Sequence, residues 1–393
     1  MLIADRTIAH DQPPYLIAEL GVNHDGSLDK ALHLIELAAT HAAHAVKFQI
    51  FDAHLLMSKA RRLAAYQQTA GESDALAMLQ RLQLSEAQLA TCVTHAHKLG
   101  IHAIATVFSL PLVDMAQRLS LDAYKTASPD IIHRPLLEAL ASTGKPLIIS
   151  TGASTLSEVA RALTWIKSAR ARLAVLQCVS SYPTPIEHAA LGGMAAIADI
   201  FRGPVGYSDH TDSDQTSLDA CALGACILEK HFTYNRAAKG PDHAASLEPL
   251  SFRRYADAAI LGYQVRMRSE HLDMDEVAQR LPPGSPIIAA HQAAAEFDRA
   301  VLDRLPKPPY SKEVLPIEQD VRAVSRQSIC TVRDLPKGHT IRESDLCFKR
   351  PGTGIPPFRL TEILGRTTQH TIPADTPITE HDLAEHHAQA ITK

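Results

Sequence analysis

Several features that mark secreted, membrane-spanning or nucleic-acid-binding proteins are missing from this 393-residue sequence. Its six cysteines form no CxxC pair and no dense framework, so they indicate neither a disulfide scaffold nor a zinc ribbon. No run of about 18 apolar residues predicts a membrane span, and the first residues do not resemble a secretory signal. A net charge of −4 excludes a global basic field that would attract nucleic acid or anionic lipid. We therefore expect a cytoplasmic protein that binds neither nucleic acid nor membrane.

Glycine-rich phosphate-binding loops are also missing. The segment AELGVNHDG, after the first apolar run, contains neither a GxGxxG fingerprint nor a P-loop. The absence of a glycine fingerprint after the first strand disfavours a doubly wound sheet, the main alternative for a sequence in which strands and helices alternate.

What the sequence does contain is an alternation of short apolar runs and helical patterns. The eight runs are 15–19, 45–50, 102–108, 123–128, 146–151, 173–178, 205–208 and 226–232. Two of the intervening helices begin with capping boxes, Ser85 with Gln88 and Thr155 with Glu158. The pattern predicts an α/β fold, a (β/α)8 TIM barrel over residues 1–270.

Proline density and an internal repeat set the last third of the chain apart. LPPGSP and LPKPPY flank one helical pattern, which predicts a helical, proline-rich linker over residues 271–318. DLPKGHTIRESDL (334–346) aligns with TIPADTPITEHDL (371–383) at a spacing of 37 residues. The repeat predicts a small, mostly β domain with pseudo-two-fold symmetry over residues 319–393.

Polar side chains follow every predicted barrel strand, at the end where TIM barrels carry their chemistry. In chain order they are Glu19, Lys47, Gln49, Thr106, Phe108 (the one apolar member), Lys125, Ser128, Asp130, Ser154, Ser180, Tyr182, Ser208, His210, Glu229 and His231. Each has a structural explanation when taken alone, because a lysine at a strand end is usually solvated and a lone carboxylate often pairs with it. Their convergence on one mouth is costly to desolvate and therefore indicates an active site.

Two histidines in this set indicate a divalent metal. His210 and His231 follow adjacent strands, which lie about 4.8 Å apart, so both imidazoles can reach one ion. Two imidazoles leave positions for water and substrate oxygens, and an oxygen-rich site suits Mn²⁺ or Mg²⁺. A structural pair of histidines is the competing explanation.

Lysines and hydroxyls in the set indicate an anion. Lys47 and Lys125 are cationic, and Ser154 lies at the start of a helix, whose free N–H groups favour negative charge. The predicted pocket therefore binds a phosphorylated, carboxylated substrate beside a metal.

Ordered motifs along the chain resemble the sialic acid synthase family of phosphoenolpyruvate-dependent nonulosonate synthases. They are AELGVNHDG, AVKFQ, the YQ of residues 66–67, KTASPD, STGAST, YPTP, GYSDHT, LEKHF and GPDH. SRQSI, DLPKGHTI, RPGTGIPP and ILGR resemble the antifreeze-like (SAF) domain that follows the barrel of this family. The resemblance implies a transferase that condenses phosphoenolpyruvate with an open-chain N-acylated hexosamine, either N-acetylmannosamine or a related di-N-acyl trideoxyhexose. The product would be a nine-carbon 2-keto-3-deoxy acid, with phosphate released by C–O cleavage.

The resemblance also implies residue roles. The catalytic residues would be Glu19, Glu229, Lys47 and Lys125. The substrate-binding residues would be Gln49, Thr106, Phe108, Ser128, Asp130, Ser154, Ser180, Tyr182, Ser208, Asp242 and Arg326. His210 and His231 would hold the metal, with Mn²⁺ preferred and Mg²⁺ or Co²⁺ as alternatives. In this family the C-terminal domain covers the barrel of the partner subunit and contributes an arginine, so we expect a domain-swapped homodimer in which Arg326, or the nearby Arg322, reaches the site.

Two other classes of function compete with this interpretation. A metal-dependent TIM-barrel aldolase or deoxy-heptulosonate-type synthase would share the barrel but would lack the repeated C-terminal domain. A non-catalytic sugar-binding or ice-binding-like module would keep the fold, but it would not need a metal beside an anion site.

Overall fold

A closed barrel of parallel strands forms the larger part of the protein. The computed structural model describes residues 1–271 and 286–384, so 272–285 of the predicted linker and 385–393 of the predicted C-terminal domain lie outside the described residues. A short hairpin, β1 (Leu2–Ile3) and β2 (Arg6–Thr7), comes first. The barrel strands are β3 (Tyr15–Gly21), β4 (Ala45–Ile50), β5 (His102–Val107), β6 (Ala123–Thr126), β7 (Leu147–Ser150), β8 (Leu173–Cys178), β9 (Val205–Asp209) and β10 (Ile227–His231). Each pairs with the next, and β10 closes against β3, so the predicted barrel is confirmed.

Helices follow the barrel strands. They are α1 (Leu28–Thr40), α2 (Ala53–Leu56), α3 (Ala65–Thr69), α4 (Ala75–Leu82), α5 (Glu86–Lys98), α6 (Val113–Arg118), α7 (Arg134–Ser142), α8 (Leu156–Trp165), α9 (Gly192–Phe201), α10 (Thr216–Ala222) and α11 (Pro249–His271). Both predicted capping boxes are present, at Ser85 before α5 and at Thr155 before α8. In the described part of the chain, no helix combines the length and the apolar character needed to cross a membrane.

Side-chain alternation along the strands decides what faces the barrel axis. On β3, Ile17 belongs to the apolar cluster inside the barrel, whereas Leu16 and Ala18 pack under the surrounding helices. Glu19 lies two residues after Ile17 and therefore points to the same interior side. On β10 the same alternation puts Glu229 and His231 in line with the interior residue Ile227. The polar side chains thus form the top layer of a column whose lower layers are apolar.

The C-terminal part contains α12 (Pro286–Arg304), α13 (Gln319–Ser325), the antiparallel strands β11 (Ser328–Thr331) and β12 (Leu346–Lys349), and α14 (Leu360–Ile363). The two copies of the sequence repeat pair with each other: Leu335 and Ile372 exchange backbone hydrogen bonds of 2.8 Å in both directions. Each copy ends in a 3-10 turn, at Glu343–Asp345 and Glu380–Asp382. The repeat is therefore structural, and it builds an apolar core of isoleucines and leucines.

The C-terminal domain lies over the mouth of the barrel. Backbone hydrogen bonds join Arg350 to Leu56 (2.8 Å) and Ser58 to Arg350 (3.0 Å). Gln327 donates from Nε2 to the carbonyl of Phe108, at the end of β5, at 2.8 Å. These contacts close the strand ends into a cavity.

Candidate active site

A cavity of about 940 Å³, including its opening to solvent, lies at the C-terminal ends of the barrel strands. All but three of the predicted site residues line it: Glu19, Lys47, Gln49, Thr106, Phe108, Lys125, Ser128, Ser180, Tyr182, Ser208, His210, Glu229, His231 and Asp242. The strand alternation that the sequence displays is what brings them together.

Glu229 is the centre of a buried charged cluster. Its Oε1 lies 3.1 Å from Lys125 Nζ, and its Oε2 lies 3.4 Å from Lys47 Nζ. Ser208, which is in register with Glu229 on the neighbouring strand β9, donates to Oε1 at 2.9 Å. Two cations and a hydroxyl therefore face one carboxylate in a site nearly closed to water.

Glu19 shares one of these lysines. Its Oε2 lies 3.1 Å from Lys47 Nζ, because Glu19 and Lys47 are in register on β3 and β4. Gln49 donates to Glu19 Oε1 at 3.0 Å, and Lys47 also donates to Thr106 Oγ1 at 2.9 Å. The ends of three consecutive strands are thus tied by polar side chains.

The protein shifts the pKa values of the two carboxylates in opposite directions. Burial alone would raise the pKa of Glu229, but Lys125 and Lys47 outweigh it and lower that pKa to about 2. For Glu19, burial raises the pKa and Lys47 only partly offsets the effect. Glu229 is therefore an ionised group at neutral pH, whereas Glu19 is the carboxylate better placed to exchange a proton.

The two histidines lie side by side in the cavity, with ring centroids 5.5 Å apart. His210 Nδ1 is 2.7 Å from the carbonyl of Val179, which leaves Nε2 for another partner. His231 Nδ1 is buried without a hydrogen-bond partner and lies 3.8 Å from Asp242 Oδ2. Burial lowers the pKa of His231, so the imidazole is in the neutral form that metals bind.

This pair fits a divalent cation with open positions. Within the described residues, no group of three or more His, Cys, Asp or Glu side chains is arranged as a complete metal site. The orphaned nitrogen of His231 and the neighbouring imidazole of His210 can supply two ligands, and oxygens of water or substrate would have to supply the others.

One side of the cavity is apolar. We call the following side chains the apolar wall: Val22, Phe51, Leu56, Met78, Leu79, Leu82 and Phe108. They also pack against one another, and Phe51 meets Phe108 edge to face with ring centroids 6.2 Å apart. The segment between β4 and α5 contributes most of the wall.

Three predicted site residues do not line the cavity, and Ser154 is the first. Its hydroxyl donates to the carbonyl of Gly152 at 3.0 Å. The protein's own groups occupy the N-terminus of α8. The carboxylate of Glu158 accepts from the N–H of Thr155 at 3.0 Å, and the backbone carbonyl of Lys312 accepts from the N–H of Leu156 at 3.0 Å. The expected anion site at this helix is therefore already filled.

Asp130 and Arg326 hold the C-terminal domain instead of facing the cavity. Asp130 Oδ1 accepts from Gln327 Nε2 at 3.2 Å, and burial raises the pKa of Asp130 to about 7 against the opposing effect of Arg350. Arg326 makes a two-pronged ion pair with Glu158, with N–O distances of 2.7 and 3.0 Å, so its guanidinium is already engaged outside the cavity.

Arg350 is the arginine that lines the cavity, and the sequence prediction missed it. Its guanidinium lies 5.4 Å from the ring centroid of Phe108, burial lowers its pKa, and its Nε has no hydrogen-bond partner among the described residues. The motif RPGTGIPP contained this residue, but nothing local to that motif indicates that it reaches the barrel. Other polar lining residues outside the predicted set are Tyr66, Gln67, Ser150 and Ser325.

Comparison with known proteins agrees with this geometry. The sequence matches the NeuB family over residues 34–263 and the SAF domain over residues 326–384. The chain belongs to the NeuB family. Two similar relatives are N,N'-diacetyllegionaminic acid synthases: that of Campylobacter jejuni is 34% identical over 93% of this chain and 98% of its own length, and that of Legionella pneumophila is 35% identical over 93% of each.

A solved relative supports the whole architecture of this NeuB-family chain. The crystal structure of the spore coat polysaccharide biosynthesis protein spsE from Bacillus subtilis superposes with a TM-score of 0.76 at 28% identity, covering 98% of this chain and 99% of that one. Because the similar relatives are synthases, the chain is an enzyme of the transferase type and not a binding module. The SAF domain also separates it from the simple TIM-barrel aldolases considered above.

Proposed function

We propose that this NeuB-family enzyme condenses phosphoenolpyruvate with an open-chain N-acylated hexosamine, giving a nine-carbon 2-keto-3-deoxy acid and phosphate. The observation that carries the proposal is the buried centre in which Lys47 and Lys125 flank Glu229. Two lysines in a closed cavity suit a substrate with both a phosphate and a carboxylate. The similarity to synthases of N,N'-diacetyllegionaminic acid supports the same reaction class.

Hydroxyl groups complete the proposed anion site. Ser128 accepts a hydrogen bond from the N–H of Gly152 at 3.0 Å and also interacts with the thiol of Cys178, and its hydroxyl would turn to donate to a phosphate oxygen. Ser180 lines the cavity close by. The hydroxyls would orient the phosphate group of the substrate, and Lys47 and Lys125 would neutralise its negative charge.

The two carboxylates take separate roles in the bond-forming steps. As C3 of phosphoenolpyruvate bonds to the aldehyde carbon, the C=O π bond breaks and the aldehyde oxygen takes up a proton to become a hydroxyl. Positive charge develops at C2, and the ionised Glu229 stabilises it. Glu19, with its raised pKa, accepts a proton from the water that adds to C2. The tetrahedral product then collapses: the C2 hydroxyl becomes the keto group, its proton passes to the departing phosphate, and the C2–O bond to phosphate breaks.

His210 and His231 would hold the divalent metal, for which we propose Mn²⁺ first and Mg²⁺ or Co²⁺ as alternatives. The metal would supply a Lewis acid for the aldehyde oxygen of the acceptor. Tyr182 packs on His210 with ring centroids 4.2 Å apart and so restricts the orientation of that imidazole. Asp242 Oδ2 lies 3.8 Å from Nδ1 of His231, so this carboxylate is within reach of the same ion.

The apolar wall favours a di-N-acyl trideoxyhexose over N-acetylmannosamine as the acceptor. Methyl groups, at C6 or on the acyl substituents, bury apolar surface against Met78 and Leu82. A hydroxyl in the same place would lose its water without gaining a partner, at a cost of about 1–3 kcal/mol. A 6-phosphate would be disfavoured more strongly because it carries charge.

A panel of acceptors tests both parts of the proposal. Phosphate release is measured with phosphoenolpyruvate and N-acetylmannosamine, its 6-phosphate, or a 2,4-diacetamido-trideoxyhexose, with and without Mn²⁺. We expect the trideoxyhexose to give the highest kcat/KM. If no acceptor gives phosphate release, the proposed reaction is contradicted. If the 6-phosphate is preferred, the proposed choice of a trideoxyhexose acceptor is contradicted.

A pair of variants tests the wall itself. Met78→Gln puts an amide in the wall and should reduce the preference for the trideoxyhexose roughly tenfold. Ala77→Gln makes the same addition on the exposed side of α4 and should leave the preference unchanged. Equal effects of the two changes would argue that the wall does not contact the acceptor.

We also propose a homodimer in which the C-terminal domains are exchanged. In the structure the domain covers the mouth of its own barrel through Gln327 and Arg350. An exchanged domain would make the same contacts between two chains, which is why swapping costs little.

The cytoplasm is the compartment that we propose. All six cysteines are free thiols, and five of them are buried. Free cysteines suit a reducing compartment, where phosphoenolpyruvate would also have to be supplied.

A further inference from the structure

Glu318 is a buried carboxylate that joins two loops of the active-site mouth. It lies in the 3-10 turn Pro316–Glu318, between the linker and the C-terminal domain, and it is fully buried. Its Oε1 accepts hydrogen bonds from the N–H of Ala153 at 2.6 Å and from the N–H of Ser180 at 2.7 Å. Its Oε2 accepts from Leu315 within its own turn at 2.9 Å. One side chain thus ties the loops after β7 and β8 to each other and to the linker.

These two loops carry groups that the proposed reaction needs. A Cβ atom on Gly152 would lie 2.2 Å from Ser180 Oγ and 2.8 Å from Ser128 Oγ, so the hydroxyls pack directly against this backbone. The N–H of Gly152 also donates to Ser128 Oγ at 3.0 Å. A displacement of the β7 loop would therefore move both hydroxyls of the proposed phosphate site.

Ala153 shows how firmly the β7 loop is held. Its φ of +50° is in the left-handed region, which is unfavourable for a residue with a Cβ atom. Glu318 binds its N–H, and its carbonyl accepts from Arg322 and from Arg326, the latter at 3.2 Å. Side chains from the end of the linker and the start of the C-terminal domain therefore hold both sides of a strained residue.

We infer that Glu318 is a positioning residue for phosphoenolpyruvate: it fixes Ala153 and Ser180 so that the phosphate side of the site is complete only when the segment before the C-terminal domain is docked. The inference rests on the proposed function for the identity of the substrate. The ordering of the two loops depends only on the hydrogen bonds of Glu318 with Ala153 and Ser180. Lys312, buried in the same segment, lies close enough for its charge to interact with Glu318.

Kinetics of three variants test the positioning role. Glu318→Ala leaves two buried N–H groups without a partner, and we expect the KM for phosphoenolpyruvate to rise roughly tenfold while the KM for the acceptor stays unchanged. Glu318→Gln keeps one oxygen for both N–H groups and should recover most of the affinity. Glu313→Ala, at an exposed position of the same segment, is the control and should behave as the wild type. An equal rise in both KM values in Glu318→Ala would overturn the inference, because it indicates general loosening.

Amide hydrogen exchange gives a readout that does not depend on the reaction. We expect the amides of Ala153 and Ser180 to exchange faster in Glu318→Ala and to stay protected in Glu318→Gln. Unchanged protection in Glu318→Ala overturns the inference whatever the kinetics. A wild-type enzyme that releases no phosphate contradicts the proposed function instead, and exchange then still decides whether Glu318 orders the loops.

Discussion

Glu19 and Glu229 contact the same lysine, yet the protein shifts their pKa values in opposite directions. The difference arises from the number of cations: Glu229 has Lys47 and Lys125 within 3.4 Å, whereas Glu19 has Lys47 alone. Burial penalises both carboxylates, so the second lysine decides the outcome. Two neighbouring acids with separated pKa values are suited to separate roles, one electrostatic and one in proton transfer.

The pH dependence of the reaction tests this division. If Glu19 is the base, kcat falls as the pH is lowered through its raised pKa, because only the ionised form accepts a proton. In Glu229→Gln the residual activity should be much lower, and its acid limb should move to lower pH, because the charge of Glu229 helps to raise the pKa of Glu19. Ser208→Ala keeps that charge and should leave the limb in place. A limb that stays fixed in Glu229→Gln would contradict the assignment.

The metal ligands can be tested by removal of the metal and of one imidazole. We expect a chelator to stop phosphate release and added Mn²⁺ to restore it. His231→Ala should abolish metal-dependent release while thermal unfolding shows an intact fold, and His33→Ala, exposed on α1, should be neutral. Full activity of His231→Ala would refute the metal site.

Alanine substitutions of Arg350 and Arg326 should have different effects, one on substrate affinity and the other on stability. Arg350→Ala should raise the KM for the acceptor roughly tenfold with little effect on Tm, because its guanidinium faces the cavity without an ion-pair partner within the described residues. Arg326→Ala should mainly lower Tm, because it removes the ion pair with Glu158. The reverse pattern of kinetics and Tm would restore Arg326 as the substrate-binding arginine.

At the scale of elements, the N-terminus of α8 is the junction between the barrel and the C-terminal domain. Glu158 caps this helix by accepting from Thr155, and it also pairs with Arg322 and Arg326. A single side chain therefore serves both the local capping box and the docking of a distant segment. The sequence indicates the first role and gives no sign of the second.

Acid should weaken this junction. Burial opposes ionisation of Glu158, but Arg326 and Arg322 lower its pKa from 4.5 to about 2. A depressed pKa in the folded state stabilises the protein above the ordinary pKa, and the contribution is lost as the pH falls from about 4.5 towards 2. The difference in Tm between wild type and Glu158→Gln should therefore be large at pH 7 and shrink over that window. A difference independent of pH would contradict the ion-pair account.

At the scale of the whole molecule, the active site needs both domains. The barrel supplies the charged centre and the histidines, while Arg350, Val321 and Ser325 come from the C-terminal side and line the same cavity. A chain that ends near residue 315 should therefore lose activity even if its barrel folds. Full activity of such a chain would refute the covering role.

Mixing two inactive variants distinguishes a swapped dimer from a self-covering chain. Glu229→Gln inactivates the barrel, and Arg350→Glu reverses the charge that the C-terminal domain contributes. If domains are exchanged, each mixed dimer has one site without either change, and random assortment should restore about one quarter of the wild-type activity. If each domain covers its own barrel, the mixture should be no more active than its parts. Co-expression followed by assay of phosphate release makes the measurement.

Features of this protein that depend on local patterns can be predicted from the sequence. Side-chain alternation with a period of two put Glu229 and His231 inward, and the structure places Lys230 outward, 3.0 Å from Asp209 in a buried pair. Capping boxes and the internal repeat were equally readable, because each places characteristic residues at fixed spacings in the sequence.

The groups from distant segments that reach the cavity could be identified only from the folded chain. Arg350 instead of Arg326 faces the site, Asp130 and Ser154 turn away from it, and Glu318 joins two loops of the barrel. The apolar wall is also formed by residues from distant segments, because it combines the ends of three strands with α2 and α4. The docking of the C-terminal domain places Arg350, Asp130 and Glu318, whereas packing between barrel segments forms the apolar wall. Contacts of either kind join residues far apart in the chain, and such contacts leave no periodic signal in the sequence.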